Sequence, residues 1–562
     1  MQQNETERRG NSVGKKRTEE QKHCFVLKVN KIKGDTAYLD RVFADAQRLR
    51  DWLCLHLAKE KEKLYQDKEI VQYDKELEEK KAYFLATFGT DFPFVSQGKK
   101  SGTDFIHMSN LRDLSKTKKA YQAYVGDEKQ AMEEIVALNE ARYNRICFLL
   151  KEMNLTEYGV SKNWLTPTRN QHFPKYLGSA NAKKILADVF VAVDKTKYFF
   201  RPHIRWLKKR PVDTIKEENN KRFITYDKEN QVLKIGKTRK RKGMNTKFMN
   251  YSVPTNRNDV YAKEALSENA IKYAQITRHK NKKGGYDYFL QLVMDGLPPM
   301  KGRTIGTGKT GIDVGVSQIA VVGNSDAFIS VLRSNALELK REAKKKTALQ
   351  RQFDRQMRIN NPDCFNDNGT FKKGPRIRYT QNMRKTQGQL AVLDRQTAVR
   401  KRNRSEQIAN RILLTGNIYL TEPANRAEIA QNKFGKSIAE TAPSQVMAAV
   451  KRKASYFPTT QYIDVDPYKV KASQFNHVTG KSEKKDLHTR YEIINGQMVQ
   501  RDLYSAFILK NVGPDAKGLY SEIDADAMKK HYPHFKDRLH DPVMREMLDK
   551  KARGEHVPAS IC

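Results

Sequence analysis

Apolar and polar positions alternate over CFVLKVNKI (24–32), and the run is rich in Val, Phe and Ile, which predicts a strand. From about residue 36 to 196 the spacing turns helical. LDRVFADAQRLRDWLCLHLAKEKEKLY (39–65) places Leu39, Val42, Phe43, Ala46, Leu49, Trp52, Leu53, Leu55, His56 and Leu57 near one broad face. His56 on such a face reads as a core histidine rather than a ligand. DEKQAMEEIVALNEARYNRICFLLKEMN (127–154) repeats the helical spacing. Short strand patterns return in NKRFITYD, QVLKIGK, AIKYAQITRH and YDYFLQLVMDG, and NKKGG (281–285) predicts a hairpin turn joining the last two. One strand, a long helical insertion and further strands describe a β-domain that opens the chain, is interrupted and resumes. The expected divisions are a disordered basic tail at 1–22, a strand at 23–35, a helical lobe at 36–196 and the resumed β-domain at 197–308.

From residue 309 a second pattern begins. TGIDVGVSQIAVVG (310–323) is a strand, a glycine-containing turn and a second strand. A long basic helix is predicted over 327–358, then a Pro/Asn/Gly-rich loop (361–375) and another basic helix over about 376–414. GNIYLTEP (416–423) reads as a buried strand ending in an acid, followed by a helix at about 440–457 and a strand in QYIDVDP (461–467). Residues 469–499 are polar and lack apolar periodicity, and QRDLYSAFILKNV (500–512) reads as a helix. The fold class is therefore multidomain α+β, ending in an α/β domain over 309–468 and 500–562.

Charge narrows the function. The 562 residues carry 106 Lys and Arg against 65 Asp and Glu, a net charge of +41, with 38% hydrophobic residues, enough for a real core. Self-repulsion of this size is relieved by a polyanion. No stretch approaches eighteen apolar residues and the N-terminal segment has no apolar core of a secretory signal, so no membrane partner and a cytoplasmic location are expected. Basic residues interleaved with aromatic ones favour nucleic acid. The phosphate-contact candidates are Arg205, Lys208, Lys209 and Arg210 in RWLKKR, Lys237, Arg239, Lys240, Arg241 and Lys242 in KIGKTRKRKG, and Arg341, Lys344, Lys345, Arg351 and Arg355 on the first basic helix. A solvated helix face gives the same charge run. Tyr198, Phe199, Phe200 and Trp206 fit core packing better than base stacking. The five cysteines, Cys24, Cys54, Cys147, Cys364 and Cys562, are too scattered for a disulfide framework or a C-x-x-C zinc site.

Three acids carry the candidate chemistry. Asp313 lies inside an apolar strand, Glu422 ends another, and Asp502 opens the helix DLYSAFIL. A carboxylate in a buried strand costs several kcal/mol unless compensated, and divalent cations compensate it through oxygen ligation. Two strands and a helix start delivering one acid each is what two-metal phosphodiester hydrolysis requires. Taken singly, Asp502 also suits a helix N-cap and Glu422 a surface acid at a strand end.

These residues resemble a known family. TGIDVGVSQIAVV, IYLTEP with KFGKSIAETAPSQVMAAVKRKA (433–454), IDVDPYKVKASQ (463–474) and QRDLYSAF resemble, in order, the RuvC motifs and connecting segments of transposon-encoded TnpB proteins and compact type V CRISPR effectors. The motif resemblance covers about 309–512, and over 24–300 the order of elements matches the family's interrupted β-barrel (wedge domain) with a helical recognition lobe. The resemblance implies a RuvC, RNase H-like nuclease domain, with Asp313, Glu422 and Asp502 as catalytic and metal-binding acids and Arg501 as the arginine of the third motif, binding nucleic acid. It implies two Mg²⁺ ions, a guide RNA and target double-stranded DNA bearing a short adjacent motif, in a prokaryotic cytoplasm and on the nucleoid when bound. Guide pairing then reads sequence while the protein supplies charge and shape. One departure is plain. The family's zinc ribbon falls in 469–499, where this chain has no cysteine and only His477 and His488, so a remodelled lobe without zinc is expected. The alternatives are a nuclease-silent guide-dependent DNA-binding protein, a guide-free RuvC-like nuclease and an RNA-binding scaffold. All three acids are present, which favours catalysis.

Overall fold

The computed structural model describes residues 23–89, 95–97, 104–106, 126–167, 177–196, 211–221, 223–236, 249–300, 304–332, 336–372, 375–422, 435–485, 490–516 and 518–540. The expected tail (1–22), Tyr198 to Trp206, the clusters Arg205, Lys208, Lys209, Arg210 and Lys237, Arg239, Lys240, Arg241, Lys242, and His488 lie outside the described residues. Two compact units emerge, one from Met1–His279 with Tyr286–Pro299, the other from Lys280–Gly285 with Met300–Cys562.

In the first unit, β1 (Cys24–Lys31) pairs antiparallel with β9 (Tyr286–Asp295), Cys24 opposite Asp295. The opening strand thus returns to the sheet built by the end of the unit, as the interrupted pattern requires. The sheet order is β1-β9-β8-β4, with β8 at Ile271–Lys280 and β4 at Thr214–Lys216. β5 (Ile224–Asp227), β6 (Val232–Ile235) and β7 (Met249–Ser252) form a separate three-stranded sheet, and β2 (Val95–Gln97) pairs with β3 (Asp104–Ile106). The expected closed barrel is therefore replaced, among the described residues, by separate open sheets. β5, β6 and β7 pair with one another and make no ladder to the β1-β9-β8-β4 sheet. Helix α1 (Ala37–Leu64) buries Leu39, Phe43, Leu49 and Leu53 in one core with Leu27, Tyr288 and Leu292 of the sheet. His56 donates from Nδ1 to Trp52 O at 2.9 Å and packs on the Trp52 ring, a structural role. α2 (Lys68–Phe88) and α3 (Asp127–Glu152) share a smaller core around Leu77, Phe84, Met132 and Ile135. α4 (Ser179–Thr196) and α5 (Val260–Glu268) also belong to this unit.

The second unit is built on a five-stranded sheet. Its strands are β10 (Lys309–Val314), β11 (Gln318–Val322), β12 (Ala327–Val331), β13 (Ile418–Thr421) and β14 (Gln461–Asp464), in the order β12-β11-β10-β13-β14. β11 runs antiparallel to both β10 and β12, whereas β10, β13 and β14 are parallel. The start of the helix predicted over 327–358 is in fact β12. Phe328 and Ile329 complete an antiparallel ladder with β11, and helix begins only at α6 (Ala336–Asn360). α7 (Gln381–Leu413) follows as the second arm of a helical hairpin. The single helix expected at 440–457 is two, α8 (Gly435–Thr441) and α9 (Pro443–Ala454), broken at Ala442, whose φ of 53° is left-handed, directly before Pro443.

Both sheet faces are apolar, as a sheet covered on two sides requires. Ile312, Ile319, Val321 and Tyr419 pack against Ile412 of α7 and Val446 and Val450 of α9. Ala320, Val322 and Leu420 pack on the other face against Leu503, Ala506 and Phe507 of α10 (Arg501–Lys510). The segment 469–499, read as lacking periodicity, holds the hairpins β15 (Phe475–Asn476) with β16 (Lys481–Ser482) and β17 (Tyr491–Ile494) with β18 (Gln497–Gln500). β19 (Val512–Pro514), β20 (Tyr520–Ile523) and α11 (Ala525–Phe535) follow. Among the described residues no helix is long and apolar enough to cross a membrane.

Candidate metal-binding active site

Strand register places the first two acids side by side. Ile312 of β10 pairs with Thr421 of β13 in a parallel ladder, so the next residue on each strand, Asp313 and Glu422, lies at the same level. Side chains alternate along a strand, so Asp313 points to the face that Gly311 presents. That face carries α10. A Cβ on Gly311 would meet Ala506 O at 1.9 Å and the Lys510 backbone N at 2.4 Å. The helix backbone therefore rests directly on β10, and its first turn reaches the Asp313 end of the strand.

Asp502 stands in that first turn, but it is not the cap. Gln500 holds the extended N-cap geometry and its Oε1 accepts the Leu503 N–H at 2.7 Å. Asp502 is left with its carboxylate turned to other partners. Gln318 of β11 donates its side-chain amide to Asp502 Oδ2, and Gln500 Nε2 donates to the same oxygen at 3.3 Å. Arg490 approaches it at 3.7 Å, and Arg501 Nε lies 3.6 Å from Oδ1. Arg501 is thus a largely buried neighbour of the acid.

The electrostatics mark one shared site. Burial first, then the charges of Asp502 and Glu422, push the Asp313 carboxyl up to about 8, with Arg501 and the Val314 N–H acting the other way. Asp313 lies deep yet keeps some surface open to solvent. Burial also raises Glu422, partly offset by the Ala472 N–H that it accepts. Glu422 Oε1 is buried without a hydrogen-bond partner. A buried, unmatched carboxylate oxygen is costly and calls for a cation. Among the described residues no three His, Cys, Asp or Glu side chains are drawn together tightly enough to hold a metal ion. The charges of Asp502 and Glu422 act on Asp313 without the three closing into a cage. Their oxygen-only donor set suits Mg²⁺, a hard ion bound through one or two carboxylates with water retained.

Sequence reading missed Gln318, Gln500, Arg490 and the Ala472 N–H as partners of the acids. Gln318 follows Asp313 by five positions across a tight turn, the one local signal, but its partner lies 184 residues away. Of the phosphate-contact candidates, Arg341, Lys344, Lys345, Arg351 and Arg355 are all exposed on α6. Lys346 pairs with Asp394 at 2.7 Å, and Glu342 accepts from Thr397 at 3.0 Å and from Arg400, which ties α6 to α7 and leaves those five cations outward. His477 is buried, with Nδ1 2.6 Å from the Tyr504 hydroxyl and its ring against Tyr532 and Phe507. It serves the core of the lobe at 469–499.

No protein-family profile matches the chain, and no curated protein matches it. Among solved structures, the chain is similar to a Cas12f1–sgRNA–target DNA complex, with a TM-score of 0.38 and 13% identity over 86% of this chain and 97% of that one. It is also similar to a CRISPR-Cas12f ternary complex, with a TM-score of 0.25 and 14% identity over 87% of this chain and 99% of that one.

Proposed function

We propose that this chain is an RNA-guided DNA endonuclease whose second unit is a RuvC, RNase H-like nuclease domain. One observation carries the reading: Asp313, Glu422 and Asp502, from β10, the end of β13 and the first turn of α10, share one electrostatic site while Glu422 Oε1 is buried without a partner. The sheet, antiparallel across β12-β11-β10 and parallel across β10-β13-β14, supports the RNase H-like assignment. The net charge of +41 and the motif resemblance over 309–512 support a guide RNA and target DNA as partners.

Asp313, Glu422 and Asp502 would hold two Mg²⁺ ions, which when bound supply an activated water and stabilise the leaving oxygen. The chain's own groups set the stage. Gln318 and Gln500 fix the direction of the Asp502 carboxylate through its Oδ2. Arg501 and Arg490 bring positive charge beside the Asp502 carboxylate. The outward cations of α6 contact phosphates without reading bases.

The test is to express the full chain with its native flanking DNA, sequence the copurifying RNA, and assay a matched duplex library with Mg²⁺. A discrete RNA with guide-dependent cuts that Asp313→Ala abolishes, with RNA binding retained, is the expected result. Cleavage at the wild-type rate in Asp313→Ala overturns the acid assignment. A discrete RNA with binding but no cuts identifies a nuclease-silent binder, and cuts without RNA a guide-free nuclease.

A further inference from the structure

The far end of the α6–α7 hairpin is more ordered than a connector between two helices requires. Residues 361–372 and 375–380 are fastened at several points. The Asn361 side chain donates to Met357 O and Arg378 O, each at 3.2 Å, and its Oδ1 accepts the Arg378 N–H at 2.6 Å. Phe365 and Phe371 bridge across a tight turn closed by Asn366 N to Thr370 O at 2.8 Å, with Gly369 at φ 75°. Lys372 N donates to Cys364 O at 2.8 Å. Long loops with this much internal bonding are usually functional.

What the tip displays is aromatic and cationic together. Phe371 is 45% exposed, Tyr379 41% and Ile359 77%. The exposed rings are backed by others: Phe371 meets Phe365 edge-on at 5.5 Å, and Tyr379 stacks near Phe353 at 6.5 Å. Arg358 lies 4.8 Å over the Phe365 ring and donates to Gly369 O at 3.2 Å, so its position is fixed. Arg355, Lys372, Arg376 and Arg378 are exposed around these rings. On a chain of net charge +41, cations beside exposed rings favour a polyanionic partner. Rings fixed at an exposed tip among cations suit a strand whose bases are unpaired, with stacking on the rings and phosphates on the cations.

We propose that this tip is a stacking platform for unpaired bases of single-stranded nucleic acid. The platform rests on the nucleic-acid part of the proposed function but not on the acid site, because it is built from different residues at the other end of the helices. Pre-ordering by Asn361 and the Phe365–Phe371 bridge lowers the entropy lost on binding.

The experiment uses full-length protein in EDTA, with labelled oligo(dT), oligo(U) and a DNA duplex of equal length, at fixed salt. Phe371→Ala combined with Tyr379→Ala is expected to weaken single-strand binding about 5- to 100-fold and to leave duplex affinity within about twofold. Tyr379→Trp is expected to retain single-strand affinity, and a fluorescent purine analogue in the strand to lose its quenching only in the alanine variant. Preference for oligo(dT) or oligo(U) tells which strand type the platform favours, and either supports it. Both rings are exposed, so thermal unfolding is expected to be unchanged. Unaltered single-strand affinity, or equal loss on strand and duplex, overturns the platform. So does a wild-type dimer that the alanine variant converts to monomer without altered oligonucleotide affinity. If wild type binds no oligonucleotide at all, the nucleic-acid reading fails with it, whereas duplex binding and cleavage with unaltered tip variants sink the platform alone.

Discussion

Gln318 on β11 donates its side-chain amide to Oδ2 of Asp502 on α10, joining the antiparallel side of the sheet to the helix that carries the third acid. The bond leaves Oδ1 of the same carboxylate facing Arg501. Partners that orient ligating carboxylates typically cost 10- to 100-fold, roughly, when removed. Gln318→Leu is expected to reduce Mg²⁺-dependent cleavage by about 10- to 100-fold, with unfolding temperature nearly unchanged. A magnesium titration of the cleavage rate checks it, and the midpoint is expected to move to higher concentration. An unchanged midpoint with a lowered plateau would show that Gln318 does not act through the Asp502 carboxylate.

Gly311 sets how closely α10 approaches β10. The atoms that an added Cβ would meet at 1.9 and 2.4 Å are backbone atoms, which cannot turn aside. Gly311→Ala is therefore expected to destabilise the second unit by about 1–3 kcal/mol or more. It is also expected to move Asp502 away from Asp313, so cleavage falls further than the loss of folded protein explains. Denaturant unfolding compared with activity per folded molecule separates the two effects.

His477 links the lobe at 469–499 to acid. Burial, with the Lys529 charge second, holds its imidazole below the ordinary 6.5. The groups against it are the Tyr504 hydroxyl and the rings of Tyr532 and Phe507. A depressed folded pKa means that the unfolded chain binds the proton first as pH falls. The stability is thus present above about 6.5 and is lost on acidification through the lower folded value. Thermal unfolding at pH 7 and pH 5 is expected to show a larger drop for wild type than for His477→Gln. Equal drops would remove His477 from the account.

The outward cations of α6 are expected to govern salt dependence rather than sequence preference. Replacing Arg341, Lys344 and Lys345 by Ala should reduce the slope of log affinity against log salt by about 0.7–0.9 for each phosphate no longer neutralised. Affinity should fall alike for oligonucleotides of different sequence. A slope identical to wild type would mean that these side chains do not touch phosphate.

Much of the fold was legible in local pattern. The opening strand, the helical insertion, the β8–β9 hairpin and the strands carrying Asp313 and Glu422 all follow from alternation and turn chemistry, which act between residues close in sequence. The misreadings share one cause. β12 is a short run beside a strong helical signal, and only its ladder with β11 makes it a strand. The expected barrel does not close among the described residues because β5, β6 and β7 find their partners in one another, a pairing that alternation does not encode. The hairpins at 475–482 and 491–500 carry little apolar periodicity and are held by burial of His477, Ile494 and Val499 against α10 and α11.

By itself the sequence nominated the three acids and determined the excess positive charge and the strands of the longer alternating runs, because each is a property of residue type and near-neighbour spacing. Tertiary structure alone decided that Gln500 takes the cap, that Asp502 is thereby left for Gln318 and the arginines, and that Glu422 Oε1 is buried without a partner. Those outcomes depend on how strands of one sheet register with one another and on how closely a helix settles over Gly311. Both are set by packing between segments far apart in the chain, which no local pattern encodes.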